Sequence, residues 1–405
     1  MFMDAPAAAM SSLSAAAIRA PAMTLTRRLD VHQPTGARIL NERFVKVTGA
    51  PPLGEGQYGT VKLYRLLVDS DSGRLGAPVA VKALDRARMR RTRTGPDATA
   101  LDDVWREVAA LTRCATASTH GASEAATAGR VHVVSLLEAI DDSTCRKLYL
   151  AMTCANAGTL EHALARCRGT GDPPWCREAA PGGGGVSVAA VLLLIRQLSA
   201  AIAFLYECAH VIHGDIQASN VLVCEDGGGN DHAVGVASPA LLAALASDVP
   251  PRGMVLQLAD LNTCHLVDPP HGPMRTRSPG TAVFSPPECC EGVEKYNGHL
   301  ADVWALGVLG YLAAFGAVPC ARAVCARRRA EVAIAGDDDE GDDASRPPSV
   351  LEVYRAIARE PNVTMPEGAS ACLTRVLGAC LVASPSERLD AKGVYDMCAM
   401  SSQTL

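Results

Sequence analysis

Residues Leu53-Gly54-Glu55-Gly56-Gln57-Tyr58-Gly59-Thr60-Val61 set three glycines in the order G-x-G-x-x-G-x-V. The residues just downstream restrict the fold more than the glycines do. A dinucleotide-binding turn with the same spacing leads straight into a helix. Here Thr60–Val68 is β-branched and strand-like, Asp69–Gly73 has hairpin-turn chemistry, and Pro78–Leu84 reads as a second strand. That order predicts a β-hairpin whose glycine turn folds over phosphates. Glycine is required there because a Cβ would hold backbone amides away from the phosphate oxygens.

The second strand contains Val79-Ala80-Val81-Lys82, matching V-A-I-K. Lys82 is one of only six lysines and stands in an apolar strand, where a charge needs a partner. Glu107, in a helical stretch at about Asp102–Arg113, is the expected partner, although Arg86–Ala100 lengthens the separation. Such an ion pair would aim the ammonium at the α- and β-phosphates of a nucleotide.

After the long apolar helix expected over Val188–Cys208 comes His213-Gly214-Asp215-Ile216-Gln217-Ala218-Ser219-Asn220. This H-x-D-x-x-x-x-N spacing makes Asp215 the group that accepts a hydroxyl proton and Asn220 a Mg²⁺ ligand. Downstream, Leu256–Leu258 reads as a strand leading to Asp260, a second acid placed to bind metal beside Asn220.

These ordered motifs resemble the eukaryotic protein kinase family over roughly residues 44–400. Gly280–Glu288 looks like the end of an activation segment, Asp302-Val303-Trp304-Ala305-Leu306-Gly307 like D-x-W-x-L-G, and Pro385–Arg388 like the late P-x-x-R. The resemblance implies an α+β, bilobal fold, with a small β-rich lobe and a larger helical one. It further implies ATP and Mg²⁺ as cofactors. Leu53, Gly54, Glu55, Gly56, Gln57, Tyr58, Gly59, Thr60, Val61, Lys82 and Glu107 would form the nucleotide site, with Met152 as gatekeeper. Asp215, Lys82 and Asn220 would be catalytic, Asn220 and Asp260 metal-binding, and Arg388 the partner of Glu288.

Three departures stand out: Gly214 for the Arg of H-R-D, Gln217 for the usual Lys, and Leu261-Asn262 for Phe-Gly. H-G-D also occurs in aminoglycoside and choline phosphotransferases, and a pseudokinase scaffold is a further alternative. Neither accounts for every motif: the first lacks the Pro-Pro-Glu platform, and the second leaves Lys82, Asp215, Asn220 and Asp260 without a purpose. Without the arginine, phosphorylation of Thr276, Ser278 or Thr281 has less to gain. The departures, glycine-rich insertions and alanine-rich composition together resemble the conserved herpesvirus tegument kinases of the alphaherpesvirus type. That likeness implies a serine/threonine kinase of the virion tegument and host nucleus, acting on viral and host proteins.

Composition limits the other classes. The 405 residues carry a net charge of −5, which argues against direct nucleic-acid binding, and 48% hydrophobic residues supply a core. The 15 cysteines include no C-x-x-C and read as reduced intracellular thiols. Val303–Ala321 holds 19 residues without a charge, but its place in the kinase pattern makes it a buried helix, so no membrane partner is expected. Residues 1–40 read as a flexible tail, 41–153 as the small lobe and 154–405 as the large lobe. Insertions are expected near 168–185, 225–253 and 321–348, the last with six acids in seven residues over Asp337–Asp343. Arg86–Arg93 is a basic cluster, either a solvated loop or a site for nuclear import or acidic partners.

Overall fold

The computed structural model describes residues 21–95, 98–169, 183–226, 234–249, 251–267, 274–275, 281–290, 295–321, 324 and 349–401. Nine strands form the sheet of the small lobe: β1 (Ala22–Thr24), β2 (Leu29–His32), β3 (Ala37–Leu40), β4 (Phe44–Lys46), β5 (Gly54–Gly56), β6 (Gly59–Asp69), β7 (Arg74–Asp85), β8 (Leu136–Ile140) and β9 (Lys147–Thr153). Their order is β1-β8-β9-β7-β6-β4-β3-β2, with β5 paired to β6. The β6–β7 hairpin sets Lys82 opposite Val61, and β9 sets it opposite Leu150. Val79 and Val81 are buried against Phe44, Ile140 and Ala151 on one face of the sheet. Strand alternation therefore turns Ala80 and Lys82 to the other face.

Three helices accompany the sheet: α1 (Arg86–Arg91), α2 (Ala100–Thr116) and α3 (Glu124–Gly129). A Thr99–Asp102 capping box starts α2. Its buried stripe is Val104, Glu107, Val108, Leu111 and Cys114, the spacing of one helix face. Glu107 thus lies on the apolar stripe and must be paired. The basic cluster is not a loop, since Asp85 caps α1 and buries Arg86 and Met89 on its inner side. Arg86 pairs with Asp141, leaving Arg88, Arg90 and Arg91 exposed.

The large lobe contains α4 (Leu160–Arg168), α5 (Val188–Glu207), α6 (Pro239–Ala246), α7 (Pro287–Cys290), α8 (Gly298–Phe315), α9 (Val350–Arg359), α10 (Ala371–Cys380) and α11 (Ala391–Ser401). α5 and α8 are long and apolar enough to cross a membrane, and both are mostly buried inside the protein. A Cβ on Gly310 of α8 would press on Ile195 and Leu377, so glycine sets how closely these helices approach. Two short strand pairs, β11 (Val221–Cys224) with β12 (Val255–Leu258) and β10 (Val211–Ile212) with β13 (His265–Leu266), frame residues 213–220.

One expectation on organisation needs correcting. Residues 22–40 are not tail: β1 runs parallel to β8, and the β2–β3 hairpin extends the far edge. Strands of three or four residues carry too little periodicity to read. Long-range bonds hold them instead, because Thr24, Asn41 and Arg43 all donate to the Glu138 carboxylate. Within 225–253, Pro239–Ala246 is a packed helix capped by Ser238, with Leu241 and Leu245 buried. Most of 168–185 and 321–348, including Asp337–Asp343, lies outside the described residues.

Burial pushes the thiols of Cys114 and Cys154 up to about 12, which keeps them protonated and poorly nucleophilic. Burial also lowers His299, stacked on Tyr206 at 4.1 Å, to about 4, with Asp390 opposing. The unfolded ring titrates near 6.5, so between pH 6.5 and 4 the unfolded chain binds a proton that the fold refuses. Stability is expected to fall by on the order of 3 kcal/mol across that window for this residue alone. Denaturant midpoints at pH 7 and pH 4.5 for the parent and His299→Gln would measure it; equal losses in both would refute it.

Candidate active site

The glycine hairpin divides into two functions. Leu53 N–H donates to Val61 O at 2.9 Å, Glu55 faces Thr60, and Gln57-Tyr58 make the turn. A Cβ on Gly54 or Gly56 would meet nothing closer than ordinary contact. A Cβ on Gly59 would collide with the Ala83 carbonyl. Gly59 is therefore glycine because β7 lies against it, while Gly54 and Gly56 keep an open cradle. Met152 lies opposite Ala80, two residues before Lys82.

Lys82 Nζ donates to Glu107 Oε2 at 3.0 Å and Oε1 at 3.1 Å, and reaches Asp260 Oδ1 at 3.4 Å. Burial opposes the lysine charge, but the two carboxylates outweigh it and hold its pKa above the ordinary range. Burial pushes Glu107 up, against the pull of Lys82. The ammonium stays charged at neutral pH and is fixed between two lobes.

Asp215 is held by four donors. Gln217 Nε2 and Asn220 Nδ2 each reach Oδ2 at 2.9 Å, and Thr281 N–H and Oγ1 reach Oδ1 at 3.0 and 3.3 Å. Asn220 Nδ2 also donates to Asp215 O at 2.9 Å, and its Oδ1, which accepts from Ser219 Oγ at 3.5 Å, keeps a second lone pair for a cation. The loop's backbone rests on Asp302, whose carboxylate accepts from His213 N–H at 2.8 Å and Gly214 N–H at 2.9 Å. His213 Nε2 bonds Ala259 O at 3.1 Å while Nδ1 accepts from Asp215 N–H at 3.3 Å, so the Nε2–H tautomer fits both.

Asp260 adopts a left-handed backbone, φ 63° and ψ 69°, at the entrance of the 3₁₀ turn Leu261–Thr263. Leu261 is fully buried, and the turn packs on α2, so leucine fills an apolar position here. The segment's end is locked by Arg388, which meets Glu288 through two parallel bonds of 2.9 and 3.0 Å.

Among the described residues no cluster of three or more His, Cys, Asp or Glu could hold a metal alone. Asn220 with Asp260 fits a divalent cation shared with phosphate oxygens, the usual arrangement for nucleotide-bound metal. The open glycine cradle and the charged Lys82 fit the phosphates themselves.

The structure brings Lys82, Glu107 and Asp260 together and sets Asp215 beside Asn220, while Thr276 and Ser278 lie outside the described residues. Asp302 as the anchor of the loop backbone was missed; the signal was a lone acid opening an otherwise apolar helix.

Comparison with known proteins gives the same reading. The protein kinase domain family matches residues 48–398. The serine/threonine-protein kinase GRIK1 of Arabidopsis thaliana is 26% identical over 362 residues, covering 89% of this chain and 67% of that protein. SNF1-activating kinase 1 of Saccharomyces cerevisiae is 26% identical over 288 residues, 66% of this chain and 21% of that protein. The serine/threonine-protein kinase TOS3 of the same yeast is 26% identical over 291 residues, 70% of this chain and 42% of that protein. The chain therefore spans about two thirds of its plant relative and less of the yeast ones. Since the family match runs through both lobes and every motif of the site, the chain belongs to the protein kinase family, as a serine/threonine protein kinase.

Proposed function

We propose that the chain transfers the γ-phosphoryl group of ATP, bound with Mg²⁺, to serine and threonine hydroxyls of proteins, and that other protein kinases are among its substrates. The observation that carries the chemistry is Lys82, fixed at 3.0 Å from Glu107 and 3.4 Å from Asp260 beside an open glycine hairpin. The substrate class is suggested by the name of the yeast relative, SNF1-activating kinase 1.

ATP supplies the phosphoryl group, and a bound cation would offset charge on its phosphates. Lys82 draws the α- and β-phosphates into line, while Asn220 and Asp260 would hold the cation. Asp215 orients the acceptor hydroxyl and takes its proton. Gln217 offers only a neutral donor, so among the described residues of the site Lys82 carries the positive charge.

Lys82→Met is expected to lower kcat by about 10²–10³, the usual cost of one electrostatic contact to developing charge. The measurement is radiolabelled phosphate transfer to a generic protein and to a kinase activation-segment peptide. Near-parental rates would mean a scaffold. Transfer to an aminoglycoside or choline alone would mean a small-molecule phosphotransferase.

A second reading makes the chain a virion tegument kinase that works in the host nucleus on viral and host proteins. Gly214 and Leu261-Asn262, with the glycine-rich stretches, favour it. Immunoblotting of purified virions tests this reading; absence of the chain from the tegument fraction rules it out.

A further inference from the structure

Arg113 lies in the last turn of α2, nearly two turns beyond Glu107. A cation there suits the helix dipole, and that alone would explain it. Its guanidinium nevertheless leaves the helix: Nη1 donates to His210 O at 3.3 Å and to Val267 O at 3.1 Å. His210 immediately precedes β10, and Val267 immediately follows β13. Val267 N–H also donates to His210 O, at 2.8 Å. His210 is itself a non-glycine residue at φ 54°, a conformation that persists only where its surroundings enforce it. Beside this knot, Cys264 Sγ donates to Arg106 O at 3.8 Å and Thr263 Oγ1 to His213 O at 3.3 Å.

We propose that Arg113 is a positioning residue that latches the start of the activation segment to the catalytic loop and to α2 without any phosphate. The proposal rests on the kinase reading. Where a phosphorylated segment is ordered by pairing with a catalytic-loop arginine, the charge must first be added. Here Gly214, at φ 77°, provides no such cation. Arg113 supplies one from the other side and directs it at backbone carbonyls, which are always present. Because one helix carries both Glu107 and Arg113, a segment held at Val267 also holds Lys82 in register.

Of the three hydroxyls with little to gain from phosphate, Thr276 and Ser278 lie outside the described residues. Thr281 is already bonded to Asp215 and so has a structural use.

The test uses the full chain as parent, Arg113→Met, and Arg113→Lys. Arg113→Met is expected to lower kcat at least tenfold with the ATP KM within about threefold, and Arg113→Lys to recover part of the loss. Hydrogen exchange at the Val267 amide should speed up at least tenfold in Arg113→Met, while phosphatase treatment leaves the parent's rate unchanged. Should Arg113→Met fail to fold, Arg113→Gln, which keeps neutral donors, takes its place with the same expectations. Unchanged exchange at Val267 in that variant, or kcat within twofold of the parent, overturns the latch. So does a tenfold fall in the parent's rate after phosphatase treatment. A parent that transfers no phosphate refutes the kinase reading instead, and the exchange measurement still decides the latch.

Discussion

Asp215→Asn is expected to lower kcat by about 10²–10⁴ while the protein stays folded and the ATP KM stays within a few fold. The carboxylate accepts from Gln217 and Asn220 at Oδ2 and from Thr281 at Oδ1. An asparagine at this position keeps one acceptor oxygen but turns an NH₂ toward donors that need an acceptor. The acceptor hydroxyl thereby loses both its orientation and its proton sink. Binding of ATP depends on the hairpin and Lys82, which lie elsewhere, so the loss should fall on kcat. Single-turnover transfer at saturating ATP, with circular dichroism to verify folding, measures it. A rate within threefold of the parent would show that another group orients the hydroxyl.

Arg388→Ala is expected to cost about 3–5 kcal/mol, the usual penalty for leaving a buried charge unpaired. The Arg388 side chain is 0% exposed and Glu288 10%. Besides Glu288, the guanidinium donates to Leu300 O at 2.9 Å and Val382 O at 3.0 Å, and lies 5.0 Å from the Trp304 ring centroid. Removal orphans a carboxylate and at least two carbonyls at once. Folding stabilities are typically about 5–15 kcal/mol, so a loss of that size leaves little margin. Urea denaturation of Arg388→Ala, Glu288→Leu and the double variant separates the causes. If unpaired charge dominates, the double variant recovers stability over Arg388→Ala. A single-variant loss under about 1 kcal/mol would show that the pair contributes little.

The site was legible because its chemistry is written in short spacings. Asp215 and Asn220 are five residues apart in one loop, and strand parity turns Lys82 away from the buried Val79 and Val81. Glu107 was harder, since residues 86–100 intervene, but its place on an apolar helix stripe demanded a cation. Arg113 was not legible at all: its partners are backbone carbonyls 97 and 154 positions away, and carbonyls carry no sequence signature. The helix Pro239–Ala246 has its cap in Ser238-Pro239, yet flanking glycines made the whole stretch read as an insertion without a helix of its own. Gly59 was assigned to phosphate binding because spacing cannot distinguish an open cradle from a tight strand crossing.

The strands before the glycine hairpin also change where the folding unit starts. The family match opens at residue 48, just past β4. A chain cut there would lose Phe44, which is fully buried, and Val45 beside it. It would strip β4 from Tyr64, Arg65 and Leu66 and leave that stretch of β6 as a raw edge, the usual template for aggregation. The autonomous unit therefore reaches back to Ala22, and expression boundaries are better drawn from strand pairing than from family similarity.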